Sequence, residues 1–253
     1  MSAETPRAPI TAVLLAGGLG SRLGPLTAVI PKPLVPIGRE SIAEILLQQL
    51  ARRGVERVIV STGYLAHLIE AVLGDGSRFG LELVYRREEQ PLSTVGPLAL
   101  CADLLPEDFL VLNGDVLTDL DFSALLRQHQ GAGCTLTVAV HPKEVKVDLG
   151  VLQRDDIGNV VGFIEKPTYH YMVSMGVYAM NRRVLSYFEP GASFGFDQLM
   201  LAMLAANDPI ATFDWSQGRW LDIGRPSDFA VAQETFAAER LAYLPWERQG
   251  APE

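Results

Sequence analysis

The stretch ITAVLLAGGLGSRLGPLTAVIPKPLVPI, residues 10–37, decides the fold. Its first seven residues form an unbroken β-branched and apolar run, the pattern of a strand buried on both faces. The run leads into Gly17-Gly18-Leu19-Gly20, a turn whose small residues let backbone N–H groups approach a phosphate chain. Two cations follow, Arg22 and Lys32, and Pro31 and Pro33 hold that lysine in a rigid extended segment. Two better-known phosphate loops do not fit. The dinucleotide fingerprint needs a glycine three residues beyond Gly20, where Leu23 stands, and a P-loop needs a Gly-Lys pair, which the chain lacks.

Outward from this stretch, strand and helix patterns alternate. RVIVST, LELVY, FLVLN, CTLTVAV, YMVSMGVYAM and WLDIG read as strands. SIAEILLQQLARRG opens on a Ser41/Glu44 capping box and ends at Gly54. LAHLIEAVLG, GPLALCADLLP, FSALLRQHQ, a segment near Phe196–Ala206 and one from Pro226 to about Ala242 read as further helices, and GVLQRDDIGNVVGFIE as a hairpin around Gly158-Asn159. This order predicts an α/β fold with a doubly wound, mostly parallel but mixed sheet, Rossmann-like, with ligands at the carboxyl ends of the strands. One domain is expected over 10–242, between a flexible tail at 1–9 and a C-terminal tail at 243–253. Trp246 in that second tail has either the protein body or a partner to dock on.

Composition narrows the function classes. The 253 residues are 48% apolar and 20% charged, with a net charge of −9. That balance argues against general affinity for nucleic acid or an anionic membrane, both of which draw on clustered Lys and Arg. No apolar stretch reaches 18 residues. MSAETPRAP lacks a charged n-region and a cleavage site. Cys101 and Cys134 sit in apolar surroundings and read as buried, reduced thiols. A cytoplasmic enzyme is the expectation, with homo-oligomerisation open.

Two carboxylates fall at strand ends. Asp115 closes NGD after FLVLN, where it can form an Asx-turn or offer a hard oxygen ligand to Mg²⁺. Asp222, in WLDIGRP, can pair with Arg225 or bind metal. Two other motifs read as decoys. GASFG matches a nucleophile elbow, but Pro190 breaks the needed strand and no histidine follows Ser193. Asp119-Leu120-Asp121 matches the D-x-D of metal-dependent glycosyltransferases, yet a helix N-cap before FSALL is the simpler reading.

Residues 15–37 resemble the signature of the sugar-1-phosphate nucleotidyltransferases, approximately G-G-x-G-T/S-R-L-x-P-L-T followed by P-K-P-L-x-P. The resemblance runs along roughly residues 10–240 and is nearest to the short, single-domain guanylyltransferase-like members. It implies that Leu15, Ala16, Gly17, Gly18, Gly20 and Ser21 hold the nucleotide, with Arg22 and Lys32 as catalytic cations on the triphosphate. It assigns Asp115 and Asp222 as Mg²⁺ ligands, with Gly114 beside the nucleotide. QPLSTVGPL matches the family's nucleobase loop, placing Gln90, Thr94 and Gly96 at contact positions, with Ser93 and Val95 where Gly and Ala are usual. Asn113, Gly150, Glu165, Lys166, Ser174 and Gly176 are implied on the sugar-phosphate side.

Ser174-Met175-Gly176 departs from the Asn-Ala-Gly of the short guanylyltransferase-like relatives and is more like the ADP-glucose pyrophosphorylases. Gly195 and Gln198 stand where relatives tend to be acidic. The implied reaction joins an NTP and a sugar-1-phosphate into an NDP-sugar and pyrophosphate, with GTP and mannose-1-phosphate or a related hexose or heptose phosphate favoured. ATP or dTTP with glucose-1-phosphate is the alternative. A glycosyltransferase and a catalytically silent sensing subunit are the competing classes. The larger relatives' C-terminal β-helix, with its acyltransfer and allosteric control, is expected to be absent.

Overall fold

The computed structural model describes residues 9–249. The expected N-terminal tail, apart from Pro9, and the last four positions lie outside the described residues. Thr11–Ala16 (β1) is the predicted first strand, and its side chains divide between two cores. Ala12, Leu14 and Ala16 join one apolar cluster, and Val13 joins another with Ile59 and Val111. A strand that feeds two apolar layers must be apolar in succession, which is why ITAVLLA shows no alternation.

Short 3₁₀ turns follow at Ser21–Leu23, Leu26–Ala28 and Lys32–Leu34, then a small hairpin of Pro36–Ile37 (β2) and Glu40–Ser41 (β3). Ile42–Arg52 (α1) begins with the expected capping box. Ser41 Oγ accepts from the Glu44 N–H at 3.3 Å, and Glu44 Oε2 accepts from the Ser41 N–H at 2.8 Å. Arg57–Thr62 (β4), Ala66–Leu73 (α2) and Glu82–Arg87 (β5) complete the first half. The second half runs Asp108–Asn113 (β6), Val116–Thr118 (β7), Phe122–Ala132 (α3) and Leu136–Lys146 (β8). A hairpin of Val151–Arg154 (β9) and Val160–Ile164 (β10) precedes Thr168–Asn181 (β11). Phe196–Ala205 (α4), Ile210–Asp214 (β12), Trp220–Asp222 (β13) and Pro226–Tyr243 (α5) close the chain.

Seven strands form the main sheet in the order β12-β8-β11-β6-β1-β4-β5, and only β11 runs antiparallel to its neighbours. The fold is therefore the doubly wound, mixed α/β sheet that the sequence predicts. Helices α1, α2, α3 and α5 pack on one face; α4 and the segment around Leu98–Leu105 pack on the other. The chain leaves β1 toward β4 on one side and returns as β6 on the other. The crevice at that reversal, outside the carboxyl ends of β1 and β6, is where such sheets bind ligands.

Three sequence expectations change in detail. GPLALCADLLP forms a 3₁₀ turn at Gly96–Cys101 instead of an α-helix. Pro97 has no N–H to give, and the Gly96 N–H is already donated to the Phe194 carbonyl at 2.9 Å. WLDIG stays out of the main sheet: β13 pairs antiparallel with β7, Asp222 opposite Val116. YMVSMGVYAM is the inner part of a longer strand whose register shifts between Ser174 and Tyr178. Trp246 docks on the body, packed against the first core with the Arg52 guanidinium 5.5 Å from its ring centroid.

Candidate active site

Loops from four strand ends enclose a cleft of about 730 Å³. The loop after β1 contributes Leu15, Ala16, Gly17, Gly18, Gly20, Ser21 and Arg22; the segment after β5 contributes Glu88, Gln90 and Thr94; the end of β6 contributes Asn113, Gly114 and Asp115. Lys32 lines the same cleft from its Pro-flanked turn. Residues predicted for nucleotide contact from places nearly a hundred positions apart thus share one wall-to-wall space. Gly96 does not. It is buried behind the cleft, and a Cβ there would lie 2.5 Å from the Ala192 carbonyl oxygen, so its smallness serves packing.

The charged centre sits at the β6 end. Lys32 Nζ makes a close ion pair with Asp115 Oδ2, and the two side chains are only 11% and 20% exposed. The β7–β13 pairing brings Asp222 alongside, and the Ile223 N–H donates to the Asp115 carbonyl at 3.1 Å. Asp222 stays open to solvent on one side. Desolvation by its surroundings, and secondly the Asp115 charge, still raise its carboxyl above the usual range, while Lys32 and Arg22 oppose that rise. Two cations and two carboxylates therefore act on one another here. Arg225, the alternative partner for Asp222, makes no ion pair with it among the described residues.

Asp115 and Asp222 fit a hard divalent cation. Both offer carboxylate oxygens, and the crowding that raises Asp222 is relieved by positive charge. Among the described residues no group of three or more His, Cys, Asp or Glu converges. Two carboxylates suit Mg²⁺, which takes one or two and completes its shell with phosphate and water.

The other half of the site is built on β11 and the β9–β10 hairpin. Gly176, at φ +74°, crosses directly over Asn113; a Cβ there would come within 2.6 Å of Asn113 Nδ2. Ser174 precedes it in the bulge, its Oγ accepting from the Gly176 N–H at 3.3 Å. Trp220 Nε1 donates to the Met175 carbonyl at 2.9 Å and so ties the bulge to β13. Glu165 and Lys166 leave the hairpin 3.6 Å apart and well exposed, with Lys166 at φ +46°. A non-glycine residue in that region is costly and is retained where something over-determines it. Gly150 lies beneath Phe163, and its added Cβ would meet that ring at 2.5 Å and Glu165 Oε2 at 3.3 Å. Of these sugar-side residues Asn113 lines the main cleft, while Gly150, Glu165, Lys166, Ser174 and Gly176 lie outside its lining.

The D-x-D carboxylates are engaged elsewhere. Asp119 Oδ1 accepts from Trp215 Nε1 and from the Arg219 N–H, both at 2.8 Å. Asp121 caps α3, accepting from the Ala124 N–H at 3.0 Å, as the simpler reading predicts.

Residues 11–239 match the nucleotidyl transferase family. The chain belongs to that family. It is similar to the mannose-1-phosphate guanylyltransferase catalytic subunit beta of Drosophila pseudoobscura pseudoobscura, 35% identical over 86% of this chain and 60% of that protein. It is also similar to the mannose-1-phosphate guanylyltransferase of Mycobacterium tuberculosis, 34% identical over 87% of this chain and 62% of that protein. The chain thus spans about three fifths of the length of these two relatives. Among solved structures, that of HddC from Yersinia pseudotuberculosis complexed with GMP-PN superposes with a TM-score of 0.69 at 25% identity, covering 90% of this chain and 99% of that one.

For this nucleotidyl transferase, sequence reasoning passed over Glu88. Its carboxylate lies across Gly17, where a Cβ would be 2.1 Å from Oε1. Ser61 Oγ donates to Oε1 and the Leu92 N–H to Oε2, each at 3.0 Å. A carboxylate so fixed keeps further lone pairs for the cleft it lines. In sequence it hides in the charged run RREEQ, which reads as a solvated face. Tyr64 was missed too; its hydroxyl donates to the Ala28 carbonyl at 2.9 Å and pins the loop between Arg22 and Lys32.

Proposed function

We propose that the chain is a sugar-1-phosphate nucleotidyltransferase that uses GTP and mannose-1-phosphate or a related hexose or heptose phosphate, releasing pyrophosphate. The observation that carries this reading is the convergence of Arg22, Lys32 and Asp115 in one cleft, with Asp222 beside Asp115 and Glu88 fixed over Gly17. The charged cluster suits a triphosphate; Glu88 suits a base rich in donors. A carboxylate accepts well from the adjacent N1–H and amino group of guanine, whereas adenine presents no such donor pair and thymine only one N–H. The guanylyltransferase names of the curated relatives, and the GMP-PN in the HddC structure, support the same choice.

An oxygen of the sugar phosphate attacks the α-phosphorus of the NTP in line. The new O–Pα bond forms as the bond from Pα to the departing pyrophosphate oxygen breaks. The nucleophile is already an anion, so no side chain has to remove a proton. The work left to the protein is positioning and charge. Two unit charges 4 Å apart repel by about 4 kcal/mol at an effective dielectric near 20. Arg22 and Lys32 offset that repulsion on the triphosphate, with Lys32 turning from Asp115 to a phosphate oxygen. Lys166 does the same for the sugar phosphate, and Glu165, Ser174 and the backbone at Gly150 and Gly176 accept or donate to sugar hydroxyls. Mg²⁺, held by Asp115 and Asp222, would supply additional positive charge to the phosphate oxygens when bound. The reaction is assigned to the cytoplasm, with two small phosphates as partners and neither nucleic acid nor membrane. No helix among the described residues is long and apolar enough to cross a bilayer.

The test is a pyrophosphate-release screen of GTP, ATP, dTTP, CTP and UTP against mannose-, glucose- and heptose-1-phosphates. GTP with a manno-configured sugar phosphate is expected to give the largest kcat/KM. Glu88→Gln should raise KM for GTP about 10- to 100-fold, the loss of a charge-assisted hydrogen bond of roughly 1.5–3 kcal/mol. KM for the sugar phosphate should hardly change. An unchanged KM for GTP would remove Glu88 from base recognition.

A further inference from the structure

β13 is three residues long, and β7 is its one pairing partner among the described residues. A two-stranded pairing is marginal on its own in water. Its register nevertheless decides the charged centre, because Asp222 stands opposite Val116, the residue after Asp115. A slip of one residue would turn the Asp222 carboxylate to the other face of the pair. At the Asp222 end the Ile223 N–H, donated to the Asp115 carbonyl at 3.1 Å, closes the ladder. The opposite end is closed by Asp119. Its carboxylate, 14% exposed, accepts at Oδ1 from the Arg219 N–H and from Trp215 Nε1, both at 2.8 Å, and at Oδ2 from Arg219 Nη1 at 3.1 Å. The Asp119 N–H donates to the Arg219 carbonyl at 3.4 Å, and Thr118 Oγ1 donates to the same carbonyl at 2.7 Å. Both main-chain polar groups of Arg219, the residue before β13, are therefore held by Thr118 and Asp119. The turn into β13 is shaped for this grip. A Cβ on Gly218 would overlap Trp215 Nε1, so glycine there lets the indole fold back to Asp119.

We infer that Asp119 is a positioning residue for the proposed reaction: it pins the register of β13 on β7 and so holds Asp222 beside Asp115. The inference rests on the proposed roles of those two carboxylates. Asp119 does not line the main cleft, so its effect passes through β13. It is not spare for a metal, since both its oxygens accept from Trp215 and Arg219, and its D-x-D companion Asp121 caps α3. The grip reaches further than Asp222. Arg219 Nε makes a close ion pair with Glu239 of α5, the helix that follows Asp222 in the chain. Trp220, the first residue of β13, donates to the Met175 carbonyl at 2.9 Å, so the same register also sets the bulge that carries Ser174 and Gly176. An asparagine at 119 keeps an acceptor for the two 2.8 Å bonds and loses the contact to Arg219 Nη1, whereas an alanine loses all three.

The experiment is hydrogen exchange by mass spectrometry on the full chain without substrates, for wild type, Asp119→Ala and Asp119→Asn, followed by pyrophosphate-release kinetics on the same proteins. Asp119→Ala is expected to exchange about 10-fold faster in peptides covering residues 219–224, with peptides of β1 and α1 unchanged. Its kcat should fall about 30-fold with KM for GTP within about twofold, because the walls that line the nucleotide cleft come from the ends of β1, β5 and β6. Asp119→Asn should restore the wild-type exchange pattern and bring kcat to within about threefold of wild type. Wild-type exchange at 219–224 in Asp119→Ala overturns the inference. So does acceleration spread evenly over the chain, which would make Asp119 a matter of stability alone. A loss of kcat that Asp119→Asn does not rescue overturns it too, since the carboxylate charge itself would then be needed. If Asp119→Ala does not fold, Asp119→Glu, whose carboxylate is displaced by one methylene, is read in the same way: faster exchange confined to 219–224 supports the pin, and any other pattern overturns it. The exchange arm needs no substrate. A wild type that releases no pyrophosphate therefore removes the proposed reaction, while an unperturbed Asp119→Ala beside an active wild type removes the pin alone.

Discussion

Arg22 is exposed at the lip of the cleft, whereas Lys32 is nearly enclosed and already paired. Arg22 makes no ion pair among the described residues, so its charge is open to a ligand. Arg22→Ala should therefore leave the melting temperature within about 2 °C while lowering kcat by roughly 100-fold, as for other lost charge-stabilising donors. Asp115→Ala should lower kcat similarly but also free a nearly enclosed lysine charge. Near-wild-type pyrophosphate release from either variant would remove these residues from the chemistry. Ser93 gives a separate residue-scale prediction. It occupies φ +66°, in the nucleobase loop where glycine is more usual. Ser93→Gly should raise the melting temperature by about 1–3 °C, the left-handed strain relieved exceeding the entropy added to the unfolded chain. A lower melting temperature would mean that the Ser93 hydroxyl holds the loop. Among single residues, glycines and fixed cations were legible because their roles are local. Glu88 was not, because its position over Gly17 depends on Ser61 and Leu92 converging from two other segments.

At the scale of elements, the legible features were those with a local cause: the β1 run, the Ser41/Glu44 box, the Asp121 cap. The placement of β13 was not, because three residues of WLD carry no signal for which partner they take. Yet its pairing with β7 is what sets Asp222 beside Asp115. The α3–β8 contact carries a pH prediction. His129 is fully buried, with Nδ1 2.8 Å from Thr137 Oγ1 and Nε2 3.5 Å from Asp108. Burial pushes its pKa below the usual 6.5, outweighing the opposing Asp108 charge. The folded state thus favours neutral imidazole. That stability is complete above pH 6.5 and falls as pH drops from 6.5 toward the lower folded value. Melting temperature should decline over that interval. His129→Asn, which can keep the Thr137 hydrogen bond, should start lower at pH 8 but decline much less. Parallel curves for the two proteins would assign the decline elsewhere.

The whole molecule explains how an acidic protein could serve the two polyanions proposed as its substrates. Its net charge of −9 is spread over the surface, while Arg22 and Lys32 line a cleft of about 730 Å³ and Lys166 stands exposed where the chain leaves the β9–β10 hairpin. The doubly wound order puts the strand reversal between β1 and β6, so loops remote in sequence must meet there. That much follows from alternation alone. The bulge at Ser174–Tyr178 and the projecting hairpin do not, since register shifts and uncovered faces depend on what lies beside them. The measurement that tests the central claim most directly is pyrophosphate release by the purified chain given GTP and mannose-1-phosphate, with Arg22→Ala as control. The account predicts stoichiometric pyrophosphate and GDP-sugar from wild type and about 1% of that rate from the variant. Pyrophosphate from no pairing of NTP with sugar-1-phosphate, or equal release by the variant, would contradict it.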